Sequence, residues 1–151
     1  MTGTGLPRLT GRTSIAVAMG TNAQRLYFIT NGGLYRSDDA GASWHQMAAD
    51  DGRIRNGQGG YSSGVYVDPK NPDVVYTLNT ASYKSVDGGK TFTGFKGAPG
   101  GDDPQQMWID PTNGQRIFFG YDQGMIVSLD GGGTWSPWYN QSTEQLYHFA
   151  V

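Results

Sequence analysis

The chain has 151 residues, of which 36% are hydrophobic, with a net charge of -2 and no cysteine. This composition supports a packed core, excludes disulfides and thiolate metal sites, and argues against nucleic acid as a partner because the 11 Lys and Arg residues form no cluster. No apolar run approaches the roughly 20 residues of a membrane span. The 24 glycines and the 13% aromatic content are typical of short strands joined by tight turns.

Alternation of apolar residues, interrupted by turn residues, predicts three units of four strands each. The first unit covers residues 14–19, 25–30, 34–37 and 44–47. The second covers residues 63–68, 74–79, 83–85 and 91–95. The third covers residues 106–110, 116–121, 125–128 and 134–138. A further strand at residues 146–151 is predicted to be the innermost strand of a fourth unit. The expected fold class is therefore all-β.

One eight-residue phrase recurs between the third and fourth strands of every unit: SDDAGASW, SVDGGKTF and SLDGGGTW. The copies begin 48 and 43 residues apart, a period typical of a four-stranded propeller blade. Asp can accept hydrogen bonds from turn amides, Gly supplies a positive φ, and the closing aromatic ring anchors the turn. The predicted structural residues are Ser37, Asp39, Gly41, Trp44, Ser85, Asp87, Gly89, Phe92, Ser128, Asp130, Gly132 and Trp135.

The phrase resembles the Asp-box, or BNR repeat, of sialidases, xyloglucanase-type glycosidases and sortilin-type receptors. The stretches GLYRSDDAGASW (33–44), VDPKNPDVVY (67–76) and WIDP (108–111) are similar to bacterial BNR-repeat glycosyl hydrolase-like and sortilin N-terminal-like proteins. The resemblance implies a β-propeller segment of about three blades, at residues 12–47, 61–95 and 105–138, plus the first strand of a fourth. It also implies an extracellular or periplasmic location, although residues 1–10 lack the pattern of a signal peptide.

Three blades do not close a ring, because propellers are usually built of four to eight. Three explanations follow: the chain is part of a larger propeller, copies of it associate, or something else covers its end faces. The partners expected on this basis are the remaining blades or a second copy of the chain.

In a propeller, the loops between successive blades form the binding face, here at residues 48–61, 96–105 and 139–145. These loops and the neighbouring turns contain most acids outside the repeated phrase, and such acids are the candidates for paired acid and base catalysis. The candidate catalytic residues are Asp50, Asp51, Asp102, Asp103, Asp122 and Glu144. The candidate ligand-binding residues, which offer guanidinium groups or stacking rings, are Arg53, Arg55, Tyr61, Tyr121 and Trp138.

Two classes of function stay open, and the first is favoured because no pair of acids can be placed in register. The first is a binding or scaffold segment that recognises a glycan or a protein. The second is part of a glycoside hydrolase whose other blades complete the site. A sialidase is disfavoured because the family pattern requires three separated arginines and a Glu beside a Tyr nucleophile, whereas Glu144 is the single Glu and Arg53 and Arg55 share one loop. His45 and His148 are isolated, so no metal or other cofactor is predicted.

Overall fold

The computed structural model describes residues 3–8, 11–55, 63–96, 103–137 and 144–150. These residues form eleven strands and one 3-10 turn at Gly52–Arg55, without an α-helix. The strands are β1 (Ser14–Val17), β2 (Leu26–Thr30), β3 (Gly33–Ser37), β4 (His45–Met47), β5 (Gly64–Val67), β6 (Val75–Leu78), β7 (Ser82–Ser85), β8 (Thr93–Lys96), β9 (Gln106–Ile109), β10 (Ile117–Tyr121) and β11 (Gly124–Ser128).

The strands form three antiparallel sheets, which we call blades one (β1–β4), two (β5–β8) and three (β9–β11). Neighbours in sequence are neighbours in each sheet, so every blade is a meander. The predicted all-β class and eleven of the predicted strands are confirmed.

The fourth strand predicted for the third unit is wrong over its described residues, because residues 134–137 are not in a strand. The pairing begins, since the Ser136 amide donates to the Val127 carbonyl over 2.8 Å. Pro137 follows at once and has no N–H to continue a ladder. Trp138 lies outside the described residues.

The extra strand predicted at 146–151 is also wrong over residues 146–150. This segment contacts blade three: the Leu146 amide donates to the Tyr121 carbonyl over 2.9 Å. The side-chain amide of Gln106 bonds both backbone groups of Phe149, at 2.9 and 3.1 Å. Phe149 is therefore tied to a side chain rather than to a neighbouring strand. Val151 lies outside the described residues.

The core lies between facing blades, which follows from the alternation along each strand. Tyr27 and Ile29 of β2 point toward blade two and are buried with Val65 and Val75. Phe119 is buried between blades two and three in a second cluster. We call the contacts between successive blades the one-two seam and the two-three seam.

The opposite face of blade one is partly covered by the N-terminal segment. Thr4 exchanges backbone hydrogen bonds with Ala42 and Trp44, at 3.0 and 2.8 Å, and Leu6 packs against the cluster that contains Phe28 and Trp44. The part of this face formed by β1 is not covered: Val17 is 49% exposed, and Met19, which follows β1, is 61% exposed.

The three repeated phrases have the same hydrogen bonds. In the second, the Ser85 hydroxyl donates to Asp87 Oδ1 (2.7 Å) and accepts from the Gly89 amide (2.9 Å). The Thr91 hydroxyl donates to Asp87 Oδ2 over 2.6 Å. Equivalent bonds occur around Asp39 and Asp130. The phrase is therefore a hairpin turn closed by its own side chains, as predicted.

These bonds stabilise the ionised carboxylates and lower the pKa of Asp39, Asp87 and Asp130 from 3.8 to about 2. Hydrogen bonds from Ser43 and Thr134 are the largest causes at Asp39 and Asp130. At Asp87, burial acts to raise the pKa, but the bonds from Thr91, Ser85 and Lys90 outweigh it.

We expect the thermal stability of the chain to fall as the pH drops from about 4 to about 2. The folded-state pKa values are below the ordinary Asp value, so their contribution is complete above that value and is lost as the pH falls through the folded pKa. Thermal unfolding followed by circular dichroism between about pH 6 and pH 2 measures the loss. A double Asp87→Asn, Asp130→Asn variant should show a flatter profile, and an unchanged profile would contradict this assignment.

The phrases also seal the seams, a role that sequence reasoning did not predict. A Cβ atom on Gly89 would lie 3.2 Å from Leu34 of blade one, and one on Gly132 would lie 2.2 Å from Phe95 of blade two. The Tyr27 hydroxyl of blade one donates to the Pro72 carbonyl of blade two over 2.9 Å. Each phrase in blades two and three thus packs on the preceding blade.

Candidate functional site

The candidate site is a cavity of about 480 Å³ at the outer part of the one-two seam. Its walls come from the loop after β4 and from the second repeated phrase. The lining residues are Ala48, Ala49, Asp50, Asp51, Arg53, Lys90, Thr91 and Phe92. The loop and the phrase come from different blades. They meet because β4 ends at Met47, which lies beside Gly89.

The loop that carries Asp50 and Asp51 is fixed on the side that faces the core. Ile54, in the 3-10 turn, is fully buried in the core of the one-two seam. Ala48 adopts a positive φ of 44°, and the Asp51 amide donates to the Ala48 carbonyl over 3.0 Å. The described part of this loop is therefore anchored by packing and by a turn.

Arg53 and Asp51 form a bidentate ion pair, with Nε to Oδ1 at 2.8 Å and Nη2 to Oδ2 at 2.7 Å. Arg53 Nη2 also donates to the Phe92 carbonyl of blade two over 3.0 Å. The guanidinium carbon lies 5.5 Å from the centre of the Tyr83 ring. Arg53 consequently joins the loop of blade one to blade two, and its side chain remains 57% exposed.

The ion pair determines what Asp51 can do chemically. The side-chain hydrogen bond from Arg53 lowers the pKa of Asp51, which burial alone would raise. A general acid needs a pKa raised toward the working pH. Asp51 is therefore an ionised hydrogen-bond acceptor. Asp50 and Lys90 are exposed at the rim and add one charge of each sign.

The Arg55 side chain does not cross the seam as the Arg53 side chain does. Its Nη2 donates to the Ala49 carbonyl over 3.3 Å. Its Nη1 is buried near Gly33 and Gln46 and has no hydrogen-bond partner among the described residues. Arg55 thus packs under the loop rather than lining the cavity.

The remaining candidate acids lie elsewhere, around blade three. The Asp103 amide donates to the Thr80 carbonyl over 2.9 Å, and Asp122 Oδ1 accepts from Gln105 Nε2 at 3.4 Å. Glu144 is exposed. None of these three lines the cavity at the one-two seam. Asp102 lies outside the described residues.

Tyr121 is fully buried, and its ring lies 5.2 Å from that of Phe119. Its ring therefore offers no free face to a ligand, which argues against the stacking role predicted for it. Tyr61 and Trp138 lie outside the described residues, and their roles stay predictions.

Sequence reasoning did not assign Lys90 and Thr91 to a site. They belong to the repeated phrase, whose regular spacing indicates structure. The signal that could have pointed to them is that Lys90 replaces the small residue found there in the other two copies, Ala42 and Gly133.

Three face-packed antiparallel sheets and three turns with the same Ser-Asp-Gly hydrogen bonds define the fold: the described residues form blades of a β-propeller, and their turns have the pattern of the Asp-box. Residues 126–137 match the family model described as BNR/Asp-box repeat. No curated protein is significantly similar to the sequence.

Several solved structures similar to this chain are β-propellers. YCF48 from Cyanidioschyzon merolae matches with a TM-score of 0.57 and 18% identity, over 82% of this chain and 35% of its own. YCF48 bound to D1 peptide matches with 0.59 and 13%, over 85% and 41%. The GH74 xyloglucanase from Xanthomonas campestris matches with 0.55 and 19%, over 87% and 23%. The chain thus spans less than half the length of each of these structures, and the likeness shows the fold alone.

In the ranges that the structure describes, no helix is long and apolar enough to cross a membrane. Within the same ranges, no group of three or more His, Cys, Asp or Glu side chains is arranged to hold a metal ion.

Proposed function

We propose that the chain is a binding segment of an Asp-box β-propeller and that the cavity at the one-two seam recognises a polypeptide. The observation that carries the proposal is the Asp51–Arg53 pair, held across the seam by the Phe92 carbonyl. Such a pair presents a fixed acceptor and a fixed donor that a ligand can meet without reordering them, which reduces the cost of binding. An extracellular or periplasmic location is part of this proposal.

A polypeptide fits this cavity better than a neutral glycan. The rim presents a carboxylate at Asp50 and an ammonium at Lys90, so charged side chains of both signs find a counterpart. A similar fold is known in a complex with a peptide, YCF48 bound to D1 peptide, which supports this choice.

We expect Arg53→Gln to weaken peptide binding at least about tenfold, because it removes both the charge and the bridge to blade two. An array of short peptides of acidic, basic and mixed charge, with xyloglucan oligosaccharides beside them, identifies the ligand, and calorimetry measures its affinity. Arg116→Gln is the matched control: Arg116 also pairs with an Asp and is 55% exposed, but it lies in blade three. Equal losses in both variants, or binding of oligosaccharides alone, would overturn the proposal.

Part of a glycoside hydrolase is the second candidate, because a GH74 xyloglucanase has a similar fold. We expect this chain to release no reducing sugar from xyloglucan, since Arg53 holds Asp51 ionised and Asp51 therefore cannot serve as the general acid that this reaction needs besides an ionised carboxylate. Turnover that disappears in Asp50→Asn or Asp51→Asn would favour the hydrolase.

A further inference from the structure

The repeat allows the residues at the one-two seam to be compared with those at equivalent positions of the two-three seam. The serine that opens each Asp-box pairs with the first residue of the second strand of its blade. Ser37 is opposite Leu26, and Ser85 is opposite Val75. Ser128 is opposite Ile117 in the same register. Positions in and around the second and third strands of one blade therefore have equivalents in the next.

The one-two seam is closed by charged groups. Arg25 Nη1 of blade one meets Asp73 Oδ1 of blade two at 2.6 Å, and Arg36 Nη1 donates to the Gly88 carbonyl over 3.0 Å. Asp38 accepts from both arginines, at 2.5 and 2.9 Å. Carboxylates thus neutralise both guanidinium groups at this seam.

At the two-three seam the equivalent positions are occupied by other residues. Val74 stands in place of Arg25, Lys84 in place of Arg36, and Val86 in place of Asp38. On the facing side, in blade three, Gln115 stands at the position of Asp73, and Gly131 stands at the position of Gly88. These five residues line an open cavity of about 440 Å³. The cavity exists because the groups that close the first seam are missing from the second.

Lys84 keeps its charge but has lost the carboxylate that its equivalent pairs with. Its Nζ lies 5.4 Å from the ring centres of both Tyr76 and Phe95, and none of the ion pairs among the described residues includes it. The aromatic faces hold the ammonium at the cavity through cation-π attraction. The position of a counter-carboxylate is taken by Val86, which is 69% exposed.

The rim of the cavity supplies polar groups for hydroxyls. Asn71 and Asn113 use their side-chain oxygens on the turn amides of Asp73 and Gln115, at 3.0 and 3.1 Å, which leaves their NH₂ groups as donors. Asp68 accepts two turn amides with Oδ1, at 2.7 and 3.0 Å, which leaves Oδ2 as an acceptor.

The charges of the lining match a monoanion, since Lys70 and Lys84 are balanced by Asp68 alone. The volume lies in the range of small-molecule sites. Val74 and Val86 add apolar wall on which the C–H face of a sugar ring can pack.

We propose that the two-three seam binds a carboxylate-bearing sugar of hexuronate size, with its carboxylate on Lys84 and its hydroxyls on Asp68, Asn71 and Asn113. This site is separate from the cavity at the one-two seam and does not depend on the function proposed there.

The test is an NMR titration of the full chain with sodium glucuronate, in parallel with glucose and with N-acetylglutamate. We expect glucuronate to shift the amide signals of residues around Lys84 and Gly131, with a Kd of about 1 mM, and the other two compounds to bind at least about tenfold more weakly. Equal binding of glucose would overturn the role of the carboxylate. Equal or tighter binding of N-acetylglutamate would overturn the assignment to a sugar.

Two variants test whether glucuronate binds in the cavity at the two-three seam. Lys84→Met keeps the aliphatic stem and removes the charge, and Val86→Asp restores the carboxylate found at Asp38 in blade one. Both should reduce glucuronate binding at least about tenfold, whereas Lys96→Met, a lysine outside the cavity, should retain it. Val86 is exposed, so its replacement tests the site even if Lys84→Met does not fold. Unchanged binding in Val86→Asp, or no binding of glucuronate to the original chain, would overturn the proposal.

Discussion

Phe92→Ala is expected to destabilise the chain by about 3 to 5 kcal/mol, because a buried aromatic ring is lost and a cavity is left. Phe92 closes the second Asp-box and is 5% exposed. It packs in the core of the one-two seam together with Tyr27, Leu34 and Val75. The substitution therefore weakens the contact between two blades as well as the fold of one.

Equilibrium unfolding in urea, at a pH near neutral, measures this loss. Trp44→Ala and Trp135→Ala, at the equivalent positions, are expected to cost about 3 kcal/mol or more each. Leu129→Ala is the matched control, since Leu129 lies in the third Asp-box and is 70% exposed, and it should cost less than about 0.5 kcal/mol. Losses below about 0.5 kcal/mol at all three aromatic positions would mean that the Asp-boxes do not anchor the blades.

Gly132→Ala is expected to cost about 2 to 4 kcal/mol, from two separate effects. Gly132 has a φ of +95°, a conformation that residues with a Cβ rarely adopt. Its Cβ would also lie 2.2 and 2.4 Å from two ring atoms of Phe95 in the preceding blade. The ring or the turn must move, which disturbs the two-three seam.

Two glycines separate these effects. Gly20 has a φ of +78° but no atom within 4 Å of its would-be Cβ, so Gly20→Ala measures the backbone term, expected at about 1 to 2 kcal/mol. Gly94 has neither a positive φ nor a close neighbour, and Gly94→Ala should be close to neutral. If Gly132→Ala costs no more than Gly20→Ala, the contact with Phe95 does not constrain the seam.

The sequence alone was sufficient for the all-β class, for eleven strands and for the Asp-box turns. These features depend on interactions between residues close in the chain: alternation along a strand, and hydrogen bonds such as those from Ser85 and Thr91 to Asp87, which span two to four positions. Residues 134–137 show the limit of this reasoning, because Pro137 stops a ladder that the alternation by itself predicts.

The seams, in contrast, were decided by tertiary structure. The rotation and shift of one blade against the next determine three features: Arg53 reaches the Phe92 carbonyl, Lys90 and Asp50 line one cavity, and Tyr121 is buried. No local pattern encodes that shift, because it follows from the packing of many side chains from two sheets at once. The substitutions of Asp38 by Val86 and of Asp73 by Gln115 are visible in the repeat, but only the facing blades show that together they open a cavity beside Lys84.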